Sequence, residues 1–286
     1  MFHVTRGETL VLSDDQAGSH VSLVPARGAL VTHFRVGDRE VLYLDESTLR
    51  DPTKNVRGGI PILFPSPGKL DGDRFARERS HGTMKQHGFA RDLPWEVAET
   101  STTNGASATL MLASNAQTRA AFPWDFRVAV TFSLVQRRLR LDIRVENTGT
   151  ETMPFAFGIH PYFLVIDKAG AHVTTRATRA FDNVTKEIVP FHGFDLTAQE
   201  VDLHLLDHGG TSSTLTCDGN AVHIEASSEL THWVVWTVRG KDYVCVEPWT
   251  APANALNTGE SLIELAPGQS RALWVALEYA PKDEGR

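Results

Sequence analysis

The sequence predicts an all-β protein built as a large antiparallel sandwich. Three observations carry this prediction. Apolar and polar residues alternate with the two-residue period of a strand in many short segments, separated by Gly, Asp and Asn turns. Two of these, RVAVTFSLV and RLRLDIRVEN, read as a hairpin around Gln136 to Arg138. No repeat of fixed period and no low-complexity linker interrupts the chain, which disfavours propellers and solenoids. All 286 residues are expected to form one domain, 1–286, because sandwiches run to this length.

Before residue 46, TLVLS, HVSLVP, ALVTHFRV and EVLYLD read as strands, with no helix among them. RGGIPILFPSPG (57–68) then breaks the pattern. Its glycines permit positive φ and close backbone approach and its prolines stiffen the rest, so a shaped loop walling a pocket is expected. ATLMLAS reads as a strand and residues 115–121 as a brief helical turn. In the hairpin, Val128, Val130, Phe132 and Leu134 share one face, as do Leu139, Leu141, Ile143 and Val145 on the return strand. Residues 167–219 carry only brief apolar pairs, and strand signals return at AVHIEA, WVVWTV, YVCVEP and RALWVALEY. Disorder is expected only at the ends, in Pro281 to Arg286.

Hydrophobic residues make up 41% and charged residues 22%, enough to build a substantial core. A net charge of −7 argues against nucleic acid or an anionic membrane surface as a partner. One basic island stands out between Lys69 and Arg91, with six basic residues against three acidic ones. No apolar run spans a bilayer and the first residues lack a signal-peptide pattern, so a cytoplasmic protein is expected. Cys217 and Cys245 read as buried thiols. The 12 histidines show no HxxxH or HExxH spacing on a helix, and GxSxG, Walker A and GxGxxG patterns are absent. No catalytic metal and no cofactor are expected.

The chemistry concentrates in three segments. In FAFGIHPYF (155–163), the proline after His160 pushes that residue toward extended geometry, so the imidazole leaves a strand end in a fixed direction. In YVCVEP, alternation puts Tyr243, Cys245 and Glu247 on one face and Val244 and Val246 on the other. A carboxylate there is either a surface residue at a strand end or, if buried beside Trp249, a base of raised pKa. In QHGFAR (86–91), His87 precedes a glycine that lets a ligand approach. Arg57 and Arg91 adjoin glycine-containing turns and offer planar forks of donors to oxygen ligands. Taken singly, His160 reads as a structural histidine and each arginine as a solvated one.

Together, RGGIPILFPSPG, QHGFAR, GIHPYF and CVEPWTAPANALNTGE resemble, in this order, the aldose 1-epimerase superfamily. The first two are similar to its hexose-6-phosphate 1-epimerase branch, whereas HPYF and EPWTAP resemble the free-aldose members more. The resemblance implies a galactose-mutarotase-like β-supersandwich that binds a sugar or sugar phosphate in a cleft. It further implies His160 as general acid, Glu247 as general base, and His87 and Arg57 as sugar-binding residues. An acidic residue between the catalytic segments also binds sugar hydroxyls in the family, and of the acidic residues there Asp202 in EVDLHLL is the best placement for its counterpart. A 6-phosphate needs two or three cations, for which Arg57, Arg74 and Arg91 are the candidates.

The expected reaction interconverts the anomers of an aldose or hexose 6-phosphate without a cofactor. It needs a base for the C1 hydroxyl and an acid for the ring oxygen, placed on opposite sides of the acetal carbon. Two other classes remain open. A non-catalytic carbohydrate-binding or sensing protein could use the same sandwich, and a glycoside hydrolase would need a second carboxylate flanking the bond.

Overall fold

The computed structural model describes residues 1–77 and 79–282. The expectation of disorder for Pro281 to Arg286 falls mostly outside these residues; Lys282 itself donates its backbone N–H to Asn220 Oδ1 at 3.0 Å. Two eight-stranded sheets dominate. One runs, in spatial order, His172–Val173, Ser212–Cys217, Asn220–Ala226, Ser270–Ala280, Arg138–Asn147, Phe126–Val135, Ala106–Ala113 and Glu96–Ser101. The other runs Glu187–Pro190, Arg179–Asp182, Glu200–Leu205, His232–Val238, Tyr243–Trp249, Gly158–Ile159 and Ile62–Leu63, with Tyr162–Leu164 also pairing Tyr243–Trp249. Strand pairs are antiparallel throughout, including those of a five-stranded N-terminal sheet.

The Phe126–Val135 and Arg138–Asn147 hairpin follows the alternation of its sequence. Val128, Val130, Phe132 and Leu134 face Val145, Ile143, Leu141 and Leu139 across the ladder, and all eight are buried. Each contributes about 1.5–3 kcal/mol of burial, which outweighs the strand propensity of any single residue. They belong to one continuous apolar core that includes residues from Leu10 to Tyr279.

EVLYLD departs from the expected strand. Only Glu40 joins a ladder, in Arg39–Glu40; beyond it the chain crosses to the second sheet through single bridges from Leu42 to Phe163 and Leu44 to Gly58. There the Tyr43 N–H donates to Tyr162 O, and the Gly59 N–H to Tyr43 O, both at 2.8 Å. A short helix, Glu46–Arg50, follows, its first turn capped by Asp45, whose side chain accepts from the Ser47 N–H. The helical stretch read at 115–121 is Ala116–Ala121, closed by a reciprocal cap between Asn115 and Thr118.

The 57–68 segment is irregular apart from Ile62–Leu63. Gly59 shows why glycine is needed there: at φ +67 its Cα lies so near the N-terminal sheet that a Cβ would stand 2.1 Å from the Val31 carbonyl oxygen. This close approach anchors the backbone that carries Arg57.

Candidate active site

The strand ends at the middle of the second sheet converge on a cleft of about 510 Å³, within the range of small-molecule sites. His160, Glu247, His87, Arg57, Arg91 and Asp202 all line it.

His160 follows the two-residue strand Gly158–Ile159, and its backbone N–H donates to Pro61 O at 3.0 Å. Its ring stacks on Tyr162, with centroids 4.7 Å apart and planes 13° from parallel. Glu247 sits in Tyr243–Trp249, every residue of which is buried. Alternation sends Val244 and Val246 into the large core and turns Tyr243, Cys245 and Glu247 the other way, where Cys245 packs with Tyr162. The surface reading of Glu247 is therefore excluded; the residue is 1% exposed.

His160 Nε2 lies 3.2 Å from Glu247 Oε1. The two side chains are in direct contact. The adjacent ends of the Gly158–Ile159 and Tyr243–Trp249 strands bring the two side chains together. Burial, reinforced by Arg91, lowers His160 to about 3, and burial, reinforced by Asp202, holds Glu247 well above the usual carboxylate range. Burial therefore disfavours a lone charge on either side chain, and a proton held between the two adjacent atoms relieves both.

His87 adopts φ 72, and Gly88 behind it could not carry a side chain, since a Cβ would lie 2.2 Å from Phe64 O. His87 Nδ1 accepts the Gly68 N–H at 3.0 Å, which places the proton of the neutral ring on Nε2. Burial and the neighbouring His160 hold its pKa well below the ordinary histidine value.

Arg57 lies over the Trp236 ring, 5.8 Å from its centroid, and Arg91 donates from Nη2 to Gln86 O at 2.9 Å. Asp202 is the acidic residue of this wall. Burial pushes its carboxyl up, but His204 and Asn183 outweigh that effect and leave it below the usual carboxylate range.

Arg74 is not brought to the cleft. It occupies a two-stranded excursion, Arg74–Arg77 with Ser80–Thr83, where Phe75 turns inward and Arg74 outward to line a separate hollow with His81 and Asn257. Lys69 and Lys186 line the cleft instead. Sequence reasoning also missed Asn183, His204 and Trp236. His204 had a usable signal, since it shares a strand face with Asp202 two residues away; Asn183 and Lys186 lie in a turn within the segment whose pattern is weakest.

Five buried side-chain polar atoms lack hydrogen-bond partners among the described residues, and four belong to this cleft: His160 Nδ1, Glu247 Oε2, Trp249 Nε1 and Arg91 Nε. Unmet buried donors and acceptors are costly, so their concentration marks a surface that suits a polar ligand. His160, Cys245 and Glu247 also bring a nitrogen, a sulfur and an oxygen within 4.8 Å of one another, a possible metal set. Burial, reinforced by Glu247, raises the Cys245 thiol well above its ordinary value and keeps it protonated, and Arg57 adds a positive charge nearby; both disfavour a dication.

A mostly antiparallel sandwich with a buried histidine–glutamate pair in a polar cleft defines a mutarotase-like protein. The aldose 1-epimerase family model matches residues 9–278, and the chain belongs to that family. The solved structure of a Synechocystis sp. PCC 6803 protein is 39% identical, covers 98% of both chains and superposes with a TM-score of 0.93. A galactose mutarotase-like protein from Clostridium acetobutylicum shares the fold at 16% identity, with 98% of both chains covered and a TM-score of 0.82. A Cenchrus ciliaris protein provisionally named glucose-6-phosphate 1-epimerase is 26% identical over 281 residues, 89% of this chain and 80% of its own. Among the described residues, no helix is long and apolar enough to cross a membrane.

Proposed function

We propose that the protein interconverts the α and β anomers of a hexose 6-phosphate, with His160 and Glu247 as its acid–base pair. The observation that carries the reaction is their 3.2 Å contact, with His160 Nδ1 and Glu247 Oε2 left unpartnered. The C1 hydroxyl and the ring oxygen are borne on the same carbon, so two adjacent groups can serve both.

The neutral pair that burial favours becomes productive when the shared proton passes from Glu247 to His160. Glu247 takes the proton of the C1 hydroxyl while His160 delivers its proton to the ring oxygen; the bond between C1 and the ring oxygen breaks and the aldehyde forms. Rotation about C1–C2 presents the other carbonyl face. Closure returns both protons by the reverse transfers, so the enzyme ends in its starting state. His87 offers Nε2–H, Arg57 offers its guanidinium and Asp202 its carboxylate to the sugar oxygens.

A phosphorylated substrate is supported by charge. Among the described residues, Arg57, Lys69, Arg91 and Lys186 all line the cleft and none has a carboxylate within 4.0 Å. The name carried by the Cenchrus ciliaris relative points the same way. NMR measurement of anomer exchange on glucose and glucose 6-phosphate tests the reading, with faster exchange expected for the phosphate. Equal rates on both would remove the phosphate preference, and no exchange on either would remove the activity.

A further inference from the structure

The hairpin Arg179–Asp182 with Glu187–Pro190 lies at the edge of the second sheet, and its turn brings Asn183, Val184 and Lys186 into the cleft wall. The turn is well tied. Asp182 Oδ1 accepts the Val184 N–H at 2.8 Å, Asp182 O accepts the Lys186 N–H at 2.7 Å, and Asp202 O accepts the Asn183 N–H at 2.8 Å. The last of these sets the turn in register with the Glu200–Leu205 strand.

The side chains continue the connection. Lys186 Nζ donates to Asn183 Oδ1 at 2.6 Å, and Asn183 Nδ2 donates to Asp202 Oδ2 at 2.7 Å. Asp202 Oδ1 meets His204 Nε2 at 3.5 Å. Both carboxylate oxygens are thus oriented by neighbours, yet each retains accepting capacity for a hydroxyl. Lys186 spends one ammonium donor on Asn183 and keeps two.

We propose that this turn is the specificity element of the cleft: Asn183 positions Asp202 to receive sugar hydroxyls, and Lys186 reads an anionic substituent on the same sugar. The inference rests on the hexose-phosphate reading and adds to it a division of labour. Asn183 acts through Asp202 and affects any sugar. Lys186 acts on the anion, and its exposed, flexible stem lets it leave Asn183 for a phosphate oxygen without disturbing the sheet.

Equilibrium binding of glucose and glucose 6-phosphate, read by the fluorescence of Trp236 and Trp249, tests this in the full chain. Lys186→Gln is expected to weaken glucose 6-phosphate about tenfold and to leave glucose within about twofold. Asn183→Ala is expected to weaken both sugars about five- to tenfold, raising KM in anomer exchange while kcat holds. Arg74→Gln, outside the cleft, is the control that changes neither. Equal effects of Lys186→Gln on the two sugars, or no effect of Asn183→Ala on either, would overturn the proposal while leaving the anomerase reading intact. A wild-type protein that binds neither sugar would overturn both. Lys186 is exposed, so its variant keeps the test valid even where Asn183→Ala reduces stability.

Discussion

His160 Nε2 and Glu247 Oε1 stand 3.2 Å apart, on side chains that are 8% and 2% exposed. Such a contact between an imidazole and a carboxyl group couples their protonation, and its consequences are measurable.

Removing either partner should abolish the reaction while sparing the fold. Glu247→Gln and His160→Asn are each expected to lower kcat/KM about 10²–10⁴-fold, the usual weight of a positioned acid or base. NMR exchange rates measure the loss, and circular dichroism confirms retained strand content. Exchange at the wild-type rate in either variant would sink the assignment.

The lowered pKa of His160 makes a stability prediction of fixed sign. Its folded value of about 3 lies below the unfolded value of 6.5, so the unfolded chain binds the proton first. This contribution is fully present above pH 6.5 and is lost as pH falls toward 3, by at most about 1.4 kcal/mol per pH unit. Glu247, raised instead, contributes stability that is complete below its unfolded value of 4.5 and lost as pH rises through its folded one. Urea unfolding at pH 7 and pH 5 should therefore show a smaller acid-side loss in His160→Asn than in the wild type. Parallel losses would contradict the neutral imidazole.

Arg91 is the second cause, after burial, of the lowering at His160 and also an anion donor candidate. Arg91→Gln should raise the His160 pKa and impair glucose 6-phosphate more than glucose. Ring-proton NMR titration reads the first effect and paired KM values the second; an unshifted ring and equal KM changes would place Arg91 outside the site's electrostatics.

Gly88 supports His87 from behind. Gly88→Ala brings a methyl group to 2.2 Å from Phe64 O at a φ of +71, so destabilisation of about 1–3 kcal/mol is expected together with weaker sugar binding. Denaturant midpoints and fluorescence titration measure both, and an unchanged midpoint would refute the close approach.

Local pattern made most of the fold legible. The alternation at Val128 to Leu134 predicts a buried face because strand side chains point to opposite sides whatever the tertiary context, and the ladder confirms it. EVLYLD carried the same signal and still left its sheet, because its backbone pairs with residues 58 and 162, a partnership that no local pattern encodes. The site divides in the same way. Proline after His160 and alternation around Glu247 located both groups at strand ends, but only strand pairing sets their 3.2 Å contact.

By itself, the sequence determined the strand class, the face on which Glu247 lies and the stiff setting of His160, all consequences of backbone geometry within a few residues. Tertiary structure alone decided which cations meet the substrate cleft. Arg74 was as basic and as close in sequence to the site as Lys69, yet the outward alternation beside Phe75 removes it, and the distant turn bearing Asn183 and Lys186 takes its place. Charge is a property of the residue, whereas its direction is set by the sheet that carries it.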